Sequence, residues 1–270
     1  MTRARVGSSA STQPNRATEP LSGTAGPDQL IGGDGADVLV GGDGNDGLDG
    51  GNGGDVLLGQ NGDDFLAGGA DGDVLDGGNG DDALFGDDAA DIVEGGDGAD
   101  LLAGGGGQDR LTGGAGADAY RFAGDPFNGA APVAAAPGAI PGVNLPDTVT
   151  DAVVGEDRFE FSGSDFGLQA FSFANGAVGE LSGDANVLVL QGEFANAGAA
   201  AAAIAGNDAL TADAGVFVYH NSTLDINRVV YSSDLGDGGA FSVQANLTSQ
   251  AGDDGTALLP TYTASDFHLV

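Results

Sequence analysis

The amino-acid sequence predicts an all-β fold, and three of its features do so. Residues 23–121 repeat with a period of nine and no insertion. The 52 glycines, far above the roughly 7% norm, concentrate in register with that period. After residue 146, short runs alternate apolar and polar residues, as strands with one covered face do. A coil of short strands followed by a β-rich region is the architecture that follows.

The period is strict. Aligned in nines, residues 23–121 form eleven units, among them GGDGADVLV (32–40), GGNGGDVLL (50–58), GGNGDDALF (77–85) and GGDGADLLA (95–103). Position one is glycine in all eleven. Position six is aspartate in all eleven: Asp28, Asp37, Asp46, Asp55, Asp64, Asp73, Asp82, Asp91, Asp100, Asp109 and Asp118. Position eight is leucine except at Val93 and Tyr120. Position two departs from glycine at Thr24, Gln60 and Asp87, and position four at Asp71 and Ala89. Glycines at positions one, two and four permit positive φ and close backbone approach, as a tight turn requires. The aspartate puts a hard anionic oxygen at a fixed place in each turn. Positions seven to nine then read as a short strand whose alternation sends position eight inward.

This pattern resembles the RTX, or haemolysin-type, calcium-binding repeat G-G-x-G-x-D-x-U-x. The resemblance implies a parallel β-roll, a calcium-bound β-solenoid in which two nonapeptides make one coil of eighteen residues. Units n and n+2 then stack about one strand spacing, ~4.8 Å, apart, with calcium between their turns. Eleven units allow at most nine such pairs, so nine is the upper bound on ions in the roll. The eleven position-six aspartates are the expected metal ligands. Calcium sites touching the turns of units 68–76 and 86–94, where Asp71, Asp87 and Ala89 replace glycine, are expected to be weak or distorted.

Charge supports a metal. The chain has 41 Asp+Glu against 7 Lys+Arg, a formal net charge of −34. All seven basic residues are arginine, and three of them (Arg3, Arg5, Arg16) precede the array. No basic stripe is available to displace counterions from a nucleic acid, and anionic membranes are disfavoured for the same reason. Residues 23–121 alone hold 22 acidic groups against Arg110 and Arg121. Nine calcium ions would supply +18 against that −20, so folding and metal binding are expected to be one event. With 0 cysteines, disulfides, zinc thiolates and thiol catalysis are excluded together.

The remaining segments divide the chain. Residues 1–22 read as a disordered tail without the apolar core of a Sec-type signal peptide. The roll spans 23–123, and 124–146 is a Pro/Ala/Gly linker. Residues 147–270 read as a β-sandwich-like capping domain with one short helix and a secretion signal. No window is long and apolar enough to span a membrane. Within 147–162 (DTVTDAVVGEDRFEFS), alternation predicts a strand pair around Gly155. Asp147, Asp151, Gly155 and Asp157 are similar to the segment after the repeats in serralysin-type RTX proteins, while Ala152 departs from it. Further strands are expected at 186–192, 215–220, 227–232 and 239–247, and a helix around Ala199–Ala205. The ending DFHLV (266–270) is similar to the C-terminal signal of type I secretion substrates, whose exporter reads an unfolded chain.

No catalytic constellation is read. About 22 residues precede the array, too few for a domain. His220 and His268 lie 48 apart without an H-E-x-x-H motif. Residues 163–167 (GSDFG) are displaced by one from a nucleophile elbow. Two functions are therefore expected. The first is a secreted or surface calcium-binding protein with a structural, matrix or adhesion role, for which self-association on calcium addition would speak. The second is a non-catalytic polysaccharide-binding module accessory to a carbohydrate-active enzyme.

Overall fold

The structure, a computed structural model, describes residues 11–12, 20–124, 146–212, 214–224, 226–233, 235, 241–248 and 259–270. Most of the expected tail, and the linker apart from its ends, lie outside these residues. The chain divides into two compact units, Met1–Arg121 and Phe122–Val270.

The first unit is a parallel β-solenoid. After the short strands β1 (Ser11–Thr12) and β2 (Leu21–Ser22) come β3 (Gln29–Asp34), β4 (Val38–Asp43), β5 (Gly47–Asn52), β6 (Val56–Asn61), β7 (Phe65–Ala70) and β8 (Val74–Asn79). They are followed by β9 (Ala83–Asp88), β10 (Ile92–Asp97), β11 (Leu101–Gly106), β12 (Arg110–Ala115) and β13 (Ala119–Phe122). Each full strand takes positions seven to nine of one unit and one to three of the next. It is six residues long where the sequence pattern suggested three. The pairing with the neighbouring coil runs on through positions one to three, with position two bending the strand at positive φ, before the chain turns at positions four to six.

Strands pair in parallel with the strand two places on, at a register of eighteen residues. Leu30 lies opposite Leu48, Leu39 opposite Leu57, and Val93 opposite Leu111. Odd-numbered strands therefore form one sheet of the unit and even-numbered strands the other. Position eight points into the space between them. Leu30, Leu39, Leu48, Leu57, Leu66, Leu75, Leu84, Val93, Leu102, Leu111 and Tyr120 are all buried. Position one is buried on the same side, as the two-residue alternation of a strand requires.

Glycine is demanded where one coil lies on the next. Gly51 has a φ of 100°, and a Cβ there would run into the Gly33 carbonyl one coil back. Gly53 (φ 117°) would place a Cβ 2.6 Å from the Gly35 carbonyl carbon. The interior departures from glycine keep the turn all the same. Gln60, Asp71, Asp87 and Ala89 are, among the described residues, the non-glycine ones with positive φ, at 81°, 72°, 72° and 87°. Across units 68–76 and 86–94, β8, β9 and β10 pair without a register shift, because these residues accept the left-handed conformation at an energetic cost.

In the second unit, six strands form a mixed sheet in the order β16-β17-β18-β19-β20-β14. They are β14 (Asp147–Val149), β16 (Phe173–Gly176), β17 (Val187–Phe194), β18 (Gly215–Asn221), β19 (Ile226–Ser232) and β20 (Phe241–Leu247). β18, β19 and β20 are antiparallel neighbours, while β16–β17, β17–β18 and β20–β14 are parallel. The parallel step from β17 to β18 needs a crossover, which α2 (Ala197–Ala205) provides. Asn196 caps it by accepting the Ala199 amide at 2.9 Å. Ala197, Ala200, Ala201 and Ile204 pack on Leu188, Leu190, Phe217, Tyr219 and Val230. This β-rich unit fits a capping domain.

The strand pair expected around Gly155 does not form. β14 pairs with β20, and β15 (Arg158–Phe161) pairs in parallel with β21 (Phe267–Leu269). Gly155 turns the chain with a φ of 85°, and Asp157 accepts the Val153 amide at 2.7 Å. The turn is thus tied within itself, and each flank finds a partner distant in sequence. Residues 163–167 form α1 (Gly163–Phe166), a single helical turn ended by Gly167 at φ 67°.

Two substitutions check the steric account. Ala89→Gly relieves a left-handed alanine and is expected to stabilise the roll by ~1 kcal/mol. Gly51→Ala is expected to destabilise it by more than ~2 kcal/mol. Denaturant unfolding of both variants in one buffer measures the two signs, and a neutral Gly51→Ala would refute the close stacking.

Candidate metal centre

Each position-six aspartate ends a turn just before the next strand, so its carboxylate is carried by the turn rather than by a flexible loop. The parallel register then stacks like on like. The backbone amide of each aspartate donates to Oδ1 of the aspartate eighteen residues on. The series runs from Asp28 on Asp46 to Asp100 on Asp118, at 2.7–3.0 Å. The same stagger takes the aspartate carbonyl, which accepts the following strand's first amide, for example Phe65 N–H on Asp46 O at 2.8 Å. One carboxylate oxygen is thereby spent on the fold.

The other oxygen is not. Oδ2 of Asp37, Asp46, Asp55, Asp64, Asp73, Asp82, Asp91 and Asp100 is buried and has no hydrogen-bond partner. A buried carboxylate oxygen without a donor or a cation costs several kcal/mol (~1–3 or more). The repetition of that cost at every turn marks a place built for a positive charge.

Position-one glycines shape the space around these oxygens. The face of Gly32 where a Cβ would stand is 2.8 Å from Asp37 Oδ2 and 2.6 Å from the carbonyl of Gly50, one coil on. The same pairing of an aspartate oxygen with the carbonyl of the glycine eighteen residues on recurs at every position-one glycine from Gly23 to Gly95. A side chain at position one would fill this cradle, so the invariant glycine protects it. Among the described residues no three His, Cys, Asp or Glu side chains converge as a metal cluster. The donor set is instead carboxylate plus backbone carbonyl, all hard oxygen, which suits a hard cation such as calcium and not zinc.

Electrostatics agree. Burial, the largest cause, pushes the carboxyls of Asp64 and Asp73 up to about 6, and those of Asp82 and Asp91 up to about 7. The amide hydrogen bond from the preceding coil opposes the rise, and neighbouring carboxylates of the column add to it. Asp46, Asp55 and Asp100 are raised for the same first reason.

All eleven predicted aspartates lie in these two columns. Asp28 differs from the interior ones, because its Oδ2 accepts both the Thr24 amide (2.6 Å) and the Thr24 hydroxyl (2.9 Å). A second, exposed row went unread in the sequence. At position three, Asn52 donates to Asp34, Asn61 to Asp43 and Asn79 to Asn61, each at 2.8 Å. Asparagine or aspartate recurring at position three, eighteen residues apart, was the available signal. Outside the roll, Asp157 and Asp266 serve as local ties: Asp266 accepts from Gly155 at 2.9 Å and from the Thr263 hydroxyl at 2.9 Å.

Residues 22–57, 49–84, 58–93 and 85–120 each match the family described as RTX calcium-binding nonapeptide repeat (4 copies). No curated protein matches the chain. The solution structure of the AlgE6R3 subunit from the Azotobacter vinelandii mannuronan C5-epimerase is similar over 96% of this chain and 85% of its own. Its identity is 18% and its TM-score 0.29, which adds nothing to the fold already described.

The raised carboxyls set a sign for pH. Their folded values lie above the ordinary ~3.9 of an unfolded aspartate, so the metal-free roll holds extra protons between about pH 4 and 7. Its stability is therefore greatest at the acid end and falls as pH rises through that window. Cation binding must displace these protons and should tighten over the same range. Calcium titrations at pH 5.5 and 7.5 are expected to show the weaker midpoint at 5.5; equal midpoints would contradict the assignment.

Proposed function

Residues 22–120 are an RTX calcium-binding nonapeptide array, and from that premise we propose that the chain is a secreted calcium-binding protein whose first unit folds only with extracellular calcium. Its role is structural, at a surface or in a matrix or adhesion layer, and not enzymatic. The observation that carries this reading is the row of buried carboxylate oxygens left without donors from Asp37 to Asp100. Oδ2 of each of these would be one ligand, and the carbonyl of the position-one glycine one coil further on would be another.

When bound, calcium supplies positive charge and oxygen coordination at each turn. The chain's own residues do the rest. The position-one glycines keep the cradle open, Oδ1 holds the next coil through its amide hydrogen bond, and the leucine column seals the space between the sheets. Without compensation, the columns stack like charges inside a partly dry interior, where they repel. Extracellular calcium modules bind at roughly 10⁻⁴–10⁻³ M, far above cytosolic free calcium, so folding would wait for the outside of the cell.

Export by a type I route fits the second unit. Phe267 is buried, and Phe267–Leu269 pair with Phe159–Phe161. Asp266 and Phe267 would therefore be open to an exporter only before folding. Among the described residues no helix is long and apolar enough to cross a membrane.

Far-ultraviolet circular dichroism in calcium and in chelator tests the coupling. Chelation is expected to abolish the strand signal of the roll, and calcium to restore it in a cooperative transition. A roll that keeps its strand signal in chelator would end this reading. Asp64→Asn combined with Asp82→Asn is expected to raise the calcium midpoint several-fold.

A further inference from the structure

The turn at the start of the array differs from those of Asp37 to Asp100, and the difference is chemical. At Gly23 the cradle is assembled as elsewhere, with Asp28 Oδ2 2.8 Å from the Cβ position and the Gly41 carbonyl over it. In the following turns, from Asp37 to Asp100, that Oδ2 has no donor. In this one it has two, the amide and the hydroxyl of Thr24. Thr24 stands at position two, where most units have glycine with positive φ, and it is not among the non-glycine residues that adopt positive φ. The first turn is therefore built differently in both backbone and side chain. The last unit shows related chemistry: Tyr120 replaces leucine, and its hydroxyl accepts the Gly113 amide at 3.1 Å beside Asp118.

We propose that Thr24 closes the first turn to calcium, its amide and hydroxyl taking on Asp28 the oxygen that the metal takes in the turns from Asp37 to Asp100. This rests on the calcium reading above and sharpens it. Of nine cradles with a carbonyl one coil on, one is filled from within the chain, leaving eight for metal (9 − 1 = 8). Two neutral donors satisfy one carboxylate oxygen without a divalent charge, so the end of the solenoid can order before metal arrives. A hydrogen-bonded first coil would then give the second a surface on which to stack.

The test counts calcium bound per chain, by equilibrium dialysis with atomic emission at saturating calcium, on the full-length protein. Asp28→Asn is expected to bind as many ions as the unaltered chain, whereas Asp64→Asn binds one fewer. Thr24→Gly opens the first cradle and is expected to bind one more, while Thr24→Ser keeps the hydroxyl and matches the unaltered chain. Loss of an ion in Asp28→Asn, or no gain in Thr24→Gly, overturns the proposal. Thr24→Gly keeps the question decidable even if Asp64→Asn does not fold. An unaltered chain that binds no calcium at all would instead defeat the reading on which the proposal rests.

Discussion

Everything in the first unit depends on a parallel register of eighteen residues in a sequence that repeats every nine. Because nine is half of eighteen, each residue lies over its own kind one coil later. That coincidence builds the leucine column, which is favourable, and the aspartate columns, which are not. The register cannot have one without the other. The fold meets the conflict by dividing the labour of each carboxylate. One oxygen accepts an amide of the coil before and so holds the stack together, and the other is left buried and bare.

Glycine makes that division possible. Positions two and four turn the chain with positive φ, while position one leaves room beside the bare oxygen. These are different demands, and the substitutions separate them. Gln60, Asp71, Asp87 and Ala89 show that positions two and four can be filled if the residue accepts a left-handed backbone. Position one is never filled, although its glycines are not forced into positive φ. There the constraint is occupancy of the cradle and not torsion. A charge-bearing site is thus guarded by the absence of a side chain, which explains why the most invariant glycine is the one with the least unusual backbone.

The second unit follows other rules. Its sheet mixes parallel and antiparallel neighbours, its crossover helix is made of alanine, and its acids act as ties. Asp157 and Asp266 spend their oxygens on amides and hydroxyls close by. Acidic residues in the two units are similar in kind and opposite in role. What separates Asp266 from the interior aspartates of the roll is that the fold brings donors to both of its oxygens, and to one of theirs.

The sequence alone determined the period, the inward position eight, an aspartate in every turn and the hard-oxygen character of the site. These follow from short-range rules: side-chain alternation in a strand and the conformational freedom of glycine act within one nonapeptide. It also placed β17 to β20 and α2 closely, since each carries its own pattern. Only the tertiary structure decided which oxygen of each aspartate is spent, that Asp28 is satisfied by Thr24, and that β14 and β15 part to pair with β20 and β21. The spent oxygen and the strand partners depend on what lies eighteen or a hundred residues away, and the tie of Thr24 to Asp28 depends on the conformation of the first turn. A hydrogen-bond partner supplied by the next coil, or by a strand near the other end of a unit, leaves no mark in the local pattern.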